Sequence, residues 1–258
     1  MLRPLALAVA ALALAGCTNG SPRDAAPSPS SATPSATASV AAVATLRVRV
    51  ESSAPADTVT AQVTARLAAL GVTASHVDAA AGTIELPRAL TAEELAAVRA
   101  PGRLTLRPVL RANPPGECAT ATGRAAVAAR SAGAGAGAAI VACDAEGEAT
   151  YDLGPAEITN ADVASATVTD EPGGVATGLP VVRLELRDAA AWAALTGKLV
   201  GRQVAFVVDG VAESAPTIQE RITEPVAQIS GGDAKHLRLL GATLAAAPLP
   251  AGVTISQA

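Results

Sequence analysis

Asp209 and Gly210 stand between two apolar runs in GRQVAFVVDGVAESAPTIQ, residues 201–219. A carboxylate in that setting has two uses, acid–base chemistry or a turn. Acid–base work needs a second acid, a His or a Lys reaching the same substrate atom, and none stands at a persuasive spacing from Asp209. A two-residue type I′ turn needs positive φ at both central positions, which Asp and Gly tolerate best. Asp209 and Gly210 are therefore assigned to a hairpin turn. No catalytic residue is assigned, and the chain does not read as an enzyme. On this reading Asp209→Asn is nearly silent, whereas Gly210→Val is costly because a β-branched residue at positive φ is strained. The two histidines, His76 and His236, have no Cys or second His at ligand spacing, so no metal is expected. His236 neighbours a leucine stripe and reads as a surface or boundary residue. The run SAGAGAGAA has the glycines of a phosphate loop but lacks its G-K-[ST] ending, and no cofactor is expected.

Three cysteines carry the remaining chemistry. MLRPLALAVAALALAGC opens with one basic residue, an apolar run too short to span a bilayer, and small residues before Cys17. This is the build of a secretory signal, and its L-A-G-C ending resembles the bacterial lipobox, in which Cys17 is acylated. The expected location is the extracytoplasmic face of the cell membrane, held by lipid. Residues 18–45, rich in Ser, Pro, Ala and Thr, form no apolar face and read as a disordered tether. In an exported chain the even pair Cys118 and Cys143 is expected to form a disulfide. Closing a loop of that size contributes about 3 kcal/mol in the chain-entropy picture. A net charge of −4 gives no electrostatic support for binding nucleic acid.

The elements that position these residues follow from periodicity. TLRVRV alternates as a strand. Asp57 is a candidate N-cap for a helix with Val59, Val63, Leu67 and Leu70 on one face, stopped at Gly71. ASHVDAAAGTIELP reads as two strands around Ala81-Gly82. Thr91 and Glu94 form a capping box for a second helix, and RLTLRPVL alternates again. The order β-α-β-β-α-β over residues 46–110 predicts a ferredoxin-like unit. Residues 112–149 read as an insertion with little core. Beyond Tyr151, ADVASATVTD is a strand, Pro172-Gly173-Gly174 a turn, and LPVVRLELRD a strand with Val182, Leu184 and Leu186 on one face. Asp188 caps a helix carrying Trp192, Leu195 and Leu199. QVAFVV, the D-G turn and VAESAPTI make a hairpin in which Pro216, lacking an N–H, suggests an edge. PVAQIS is a further strand, and a last helix puts Leu237, Leu240 and Leu244 on one side. The fold class is α+β, with an α+β second domain over 111–258.

AFVVDGVAESAPTI, then QISGG, then a Leu-rich helix ending in L-P resembles the head region of the first periplasmic domain of the SecD family, a membrane subunit of the bacterial protein-export machinery. ARLAALGV, GTIELP and GRLTLRPVL are similar to the base region of that domain. The resemblance implies a base at 46–110, a head at 111–258, and a role in handling exported polypeptide. After the signal no apolar segment is long enough to cross a membrane, so the chain is expected to lack its own energy coupling. The leading expectation is a domain that binds unfolded exported polypeptide or docks to translocase subunits. Pro216, Ile218, Val226 and Ile229 are its candidate contact residues, although the three aliphatic ones read equally well as core under the last helix. The alternative is a repurposed envelope lipoprotein that binds a small molecule or another envelope protein.

Overall fold

The computed structural model describes residues 44–170 and 179–258. Cys17, most of the expected tether and the Pro172-Gly173-Gly174 turn lie outside the described residues.

Leu46 and Val48 are buried and Arg47 and Arg49 exposed along β1, Ala44–Val50, which starts two residues inside the stretch read as tether. Helix α1, Ala56–Ala69, buries Val59, Val63 and Leu67 on that strand's sheet. Its N-cap is Pro55 rather than Asp57. Asp57 lies one residue inside, accepting a hydrogen bond from the Thr58 N–H at 3.0 Å, where its charge still favours the helix start. The hairpin β2, His76–Asp78, and β3, Thr83–Leu86, follows. Helix α2, Ala92–Arg99, carries the Thr91–Glu94 capping box. An ion pair with Arg88 and the Thr91 amide hold the Glu94 carboxyl down at about 2.

The fourth strand of this sheet is not the one that the sequence suggests. RLTLRPVL forms β4, Leu104–Asn113, which pairs in a different sheet because Leu104 and Leu106 enter the core of the second half. The vacant place is taken by β13, Val253–Gln257, pairing antiparallel to β1 with Ile255 opposite Val48. The order β13-β1-β3-β2 is that of a ferredoxin-like βαββαβ sheet. The whole head is thus inserted between α2 and the final strand.

The head begins with β4 and continues through a 3-10 turn at Gly116–Ala119, helix α3, Ala121–Ala132, and strands β5, Ile140–Asp144, and β6, Thr150–Leu153. The short strand β7, Ile158–Thr159, and β8, Val163–Thr169, come next. They are followed by β9, Val181–Leu186, α4, Ala189–Lys198, β10, Val204–Val208, and β11, Val211–Ser214. The last elements are β12, Val226–Ile229, and α5, Ala234–Leu244. Strands β4, β10, β11, β5 and β6 pair in a ring and close a small barrel. Residues 112–149, read as an insertion with little core, supply barrel wall and buttress: Ile140 and Ala142 fill the barrel beside Val207 and Ala212.

Strand β10 explains its own uninterrupted apolar sequence. Ala205 and Val207 face the barrel, while Val204, Phe206 and Val208 face a second core shared with Trp192, Leu184 and Leu240. A strand buried on both faces has no reason to alternate. The three-stranded sheet β12-β9-β8 covers that core together with α4 and α5. Helix α5 also serves the base, since the Thr243 hydroxyl donates to the Ala97 carbonyl of α2 at 3.2 Å.

Candidate functional site

The D-G turn forms as expected: φ is +49° at Asp209 and +89° at Gly210, between paired Val208 and Val211. Its carboxylate has a further task. Asp209 Oδ2 accepts from the Gly102 N–H and Oδ1 from the Arg103 N–H, both at 2.9 Å. The Asp209 N–H donates to the Arg103 carbonyl at 3.0 Å. Residues 100–104 are the chain's crossing from base to head, so the turn grips the joint. The expectation that Asp209→Asn is nearly silent is withdrawn, because an amide offers one acceptor oxygen where the crossing presents two donors. Nothing local in the sequence signals this; the partners are more than a hundred residues away.

Arg66 of α1 grips the same crossing from the other side. Its guanidinium is fully buried and donates to the carbonyls of Val98 at 3.1 Å, Pro101 at 3.0 Å, and Ala100. Burial lowers its pKa to about 10, an effect that the Asp209 charge partly opposes. Asn160 completes the joint, donating from Nδ2 to the Gly102 carbonyl and accepting the Leu104 N–H. Backbone groups in such a crossing would otherwise be costly to bury.

Next to the joint lies a cleft between α2, the hairpin and α5, about 380 Å3 in volume. Across it His236 meets Glu213, Nε2 to Oε2 at 2.8 Å. The Glu213 hydrogen bond raises the His236 pKa against the effect of its burial. His236 is half-exposed at the rim, the boundary position that the sequence suggests.

The hairpin's second strand is not an edge. Strand β11 lies between β10 and β5. Pairing also continues past Pro216: its carbonyl accepts the Val204 N–H, and Ile218 exchanges bonds with Gly201 and Arg202. The backbone expected to be free near Pro216 is thus mostly used. Of the four candidate contact residues, Ile218 and Ile229 are core side chains, 5% and 0% exposed, packed with Trp192 and Leu237. Pro216 is exposed and Val226 half-buried. Pro216 and Ile218 do border an apolar recess of about 290 Å3, with Trp192, Phe206 and Ile222 as its other apolar walls. The Trp192 indole Nε1–H is buried without a hydrogen-bond partner among the described residues.

Cys118 and Cys143 form the expected disulfide, with Cα atoms 5.5 Å apart. Besides the two sulfurs, only Val127 belongs to the small buried cluster there. Burying one valine contributes about 2 kcal/mol and the cross-link about 3 kcal/mol, so the bond contributes more than that valine. Among the described residues no group of three or more His, Cys, Asp or Glu is placed to hold a metal, and no helix is long and apolar enough to cross a membrane.

Residues 139–251 match the family model for the SecDF P1 head subdomain. Protein translocase subunit SecD of Mycobacterium tuberculosis H37Rv is 36% identical over 96 residues, 36% of this chain and 16% of that one. SecD of Acidaminococcus fermentans is 39% identical over 84 residues, 31% of this chain and 20% of that one. The chain thus spans about a fifth or less of the length of these relatives. Among solved structures, a membrane component SecDF that enhances protein export aligns at TM-score 0.50 and 20% identity, over 83% of this chain and 97% of the other. SecDF in a super-membrane-facing form aligns at TM-score 0.54 and 21% identity, over 83% and 30%. The chain thus shares the fold of the SecDF region it aligns with, and in sequence residues 139–251 match the SecDF P1 head subdomain.

Proposed function

We propose that the chain is a lipid-anchored, extracytoplasmic P1 module that associates with the protein-export machinery and binds exported polypeptide in its unfolded state, with no energy coupling of its own. The observation that supports this reading is that the SecDF P1 head match falls on residues 139–251, the part of the fold that holds the recess beside Trp192. An extended chain presents apolar side chains to such a recess. Pro216 and Val226 are the surface residues kept from the sequence reading as contacts; Ile218 acts only as a wall of the recess. The anchor is Cys17, and several acyl chains together hold a protein stably where one does not.

Crosslinking in intact cells, followed by pull-down, tests the association. Translocase subunits or nascent secreted proteins among the captured species support it, and their absence refutes it. The anchor has a separate test: Cys17→Ala should release the protein from the membrane fraction, and a variant as membrane-bound as its parent contradicts the anchor.

A second reading is favoured by one specific feature, the apolar recess of about 290 Å3 walled by Trp192, Phe206 and Ile222. It makes the chain an envelope lipoprotein that takes a small apolar molecule. Binding of a defined small molecule with no captured export components would favour it.

A further inference from the structure

We propose that the disulfide-bolted segment 116–132 is a brace on the joint between base and head, so that a dithiol which opens Cys118–Cys143 loosens the joint while both cores stay folded. This inference does not rest on the proposed function. It starts from where the segment touches. Gly210 lies directly on helix α3: a Cβ built there would come within 2.2 Å of the Ala128 carbonyl oxygen. The same turn holds the amides of Gly102 and Arg103 through the Asp209 carboxylate. The Arg103 side chain reaches back to the end of α3, with Nη1 donating to the Ala132 carbonyl at 3.1 Å. Helix, turn and crossing therefore form one stack, with α3 on its outer side.

The stack is bolted at one end by the disulfide. Cys118 lies in the 3-10 turn that leads into α3, and Cys143 in β5. Cys143 is also at the weakest seam of the barrel, since β5 meets β11 through only the pairs Val211–Cys143 and Ala212–Asp144. One bond thus secures both the brace and the strand beneath the hairpin. Without it α3 keeps Val127 and a few polar ties, such as Ser131 to the Val141 carbonyl of β5 and the Ala132 carbonyl to Arg103. Helix α3 lies before residue 139, outside the segment matched to the head family.

Both cysteines are buried, 0% and 2% exposed, so thiol–disulfide exchange proceeds through a local opening of 116–132 that admits the dithiol. One thiolate of the dithiol attacks a cysteine sulfur and breaks the S–S bond, giving a mixed disulfide. The second thiolate closes the reductant into its own disulfide, and the two electrons and two protons that the dithiol gives up convert Cys118 and Cys143 to thiols.

The experiment is amide hydrogen exchange on the full chain, oxidised, reduced with dithiothreitol and reoxidised, alongside the Cys118→Ser/Cys143→Ser variant. The expected result is that the Gly102, Arg103 and Val211 amides exchange about tenfold faster or more when the bond is open. The Val48 and Ile84 amides of the base sheet should stay protected, and reoxidation should restore slow exchange at the joint. Two results overturn the proposal. Faster exchange confined to 116–132, with Gly102 and Arg103 unchanged, makes the bond a local staple. Equal acceleration at every amide makes it a contributor to global stability only.

Discussion

Asp209 is where residue type and residue role part company. Its φ of +49° is one that Asn also adopts, so Asp209→Asn keeps the turn. It leaves one of the two crossing amides facing an NH2 group, and such an orphaned donor costs about 1–3 kcal/mol. Urea denaturation should show that loss. Gly210→Val should lose more, about 3 kcal/mol or beyond, because it adds strain at positive φ to a clash with the Ala128 carbonyl. A silent Asp209→Asn would mean that the carboxylate contributes nothing to the joint. His236 supplies a pH-dependent prediction. Glu213 raises its pKa in the folded protein, with Glu146 and Asp233 adding to the effect. A raised folded pKa stabilises fully below the ordinary histidine value of about 6.5 and is lost as pH rises through the folded value. The side chain is 41% exposed, so solvent screening keeps the contribution to about 0.5 kcal/mol. The melting difference between the parent and His236→Gln should therefore be largest near pH 5 and should vanish on the alkaline side. A difference that grows with pH contradicts the pairing. The turn itself was legible in the sequence, because D-G between apolar runs is a local signal. The grip on Gly102 and Arg103 was not, because it joins residues that only the fold brings together.

At the scale of elements, periodicity finds strands and helices but not the partner of each strand. RLTLRPVL alternates correctly and is a strand, yet its alternation serves the head: Leu104 and Leu106 face Phe206, not the base. The base instead recruits VTISQ from the end of the chain, where Ile255 is 3% exposed and lies opposite Val48. Ile255→Ala should thus cost about 2–4 kcal/mol, the cost of a core deletion, although the residue is three positions from the last. A Tm shift within the noise would show that β13 is an accessory strand and would remove the discontinuous base. The place of the inserted segment in the barrel is hidden for a related reason. Its alanines and glycines give no periodic stripe, and its hold on the fold comes from one disulfide and from the barrel strands beside it. The cysteine pairing was still readable, because parity and export are properties of the whole sequence.

The whole molecule is a base whose fourth strand arrives last, with a head built entirely inside it. The two halves meet at a crossing whose backbone is held by Arg66, Asp209 and Asn160. The residues that motivated a client site in the sequence were apolar and near a proline. The fold buries Ile218 and Ile229 and leaves beside Trp192 an apolar recess that Ile218 walls. The direct test of the proposed role is a titration of the protein with one secretory protein in its unfolded and in its folded form. Binding should be passive and insensitive to ATP. It should be micromolar or weaker for the unfolded form, about −8 kcal/mol or less favourable, because the client loses freedom on binding, and undetectable for the folded form. No binding to the unfolded chain, or equal binding to both forms, would contradict the account.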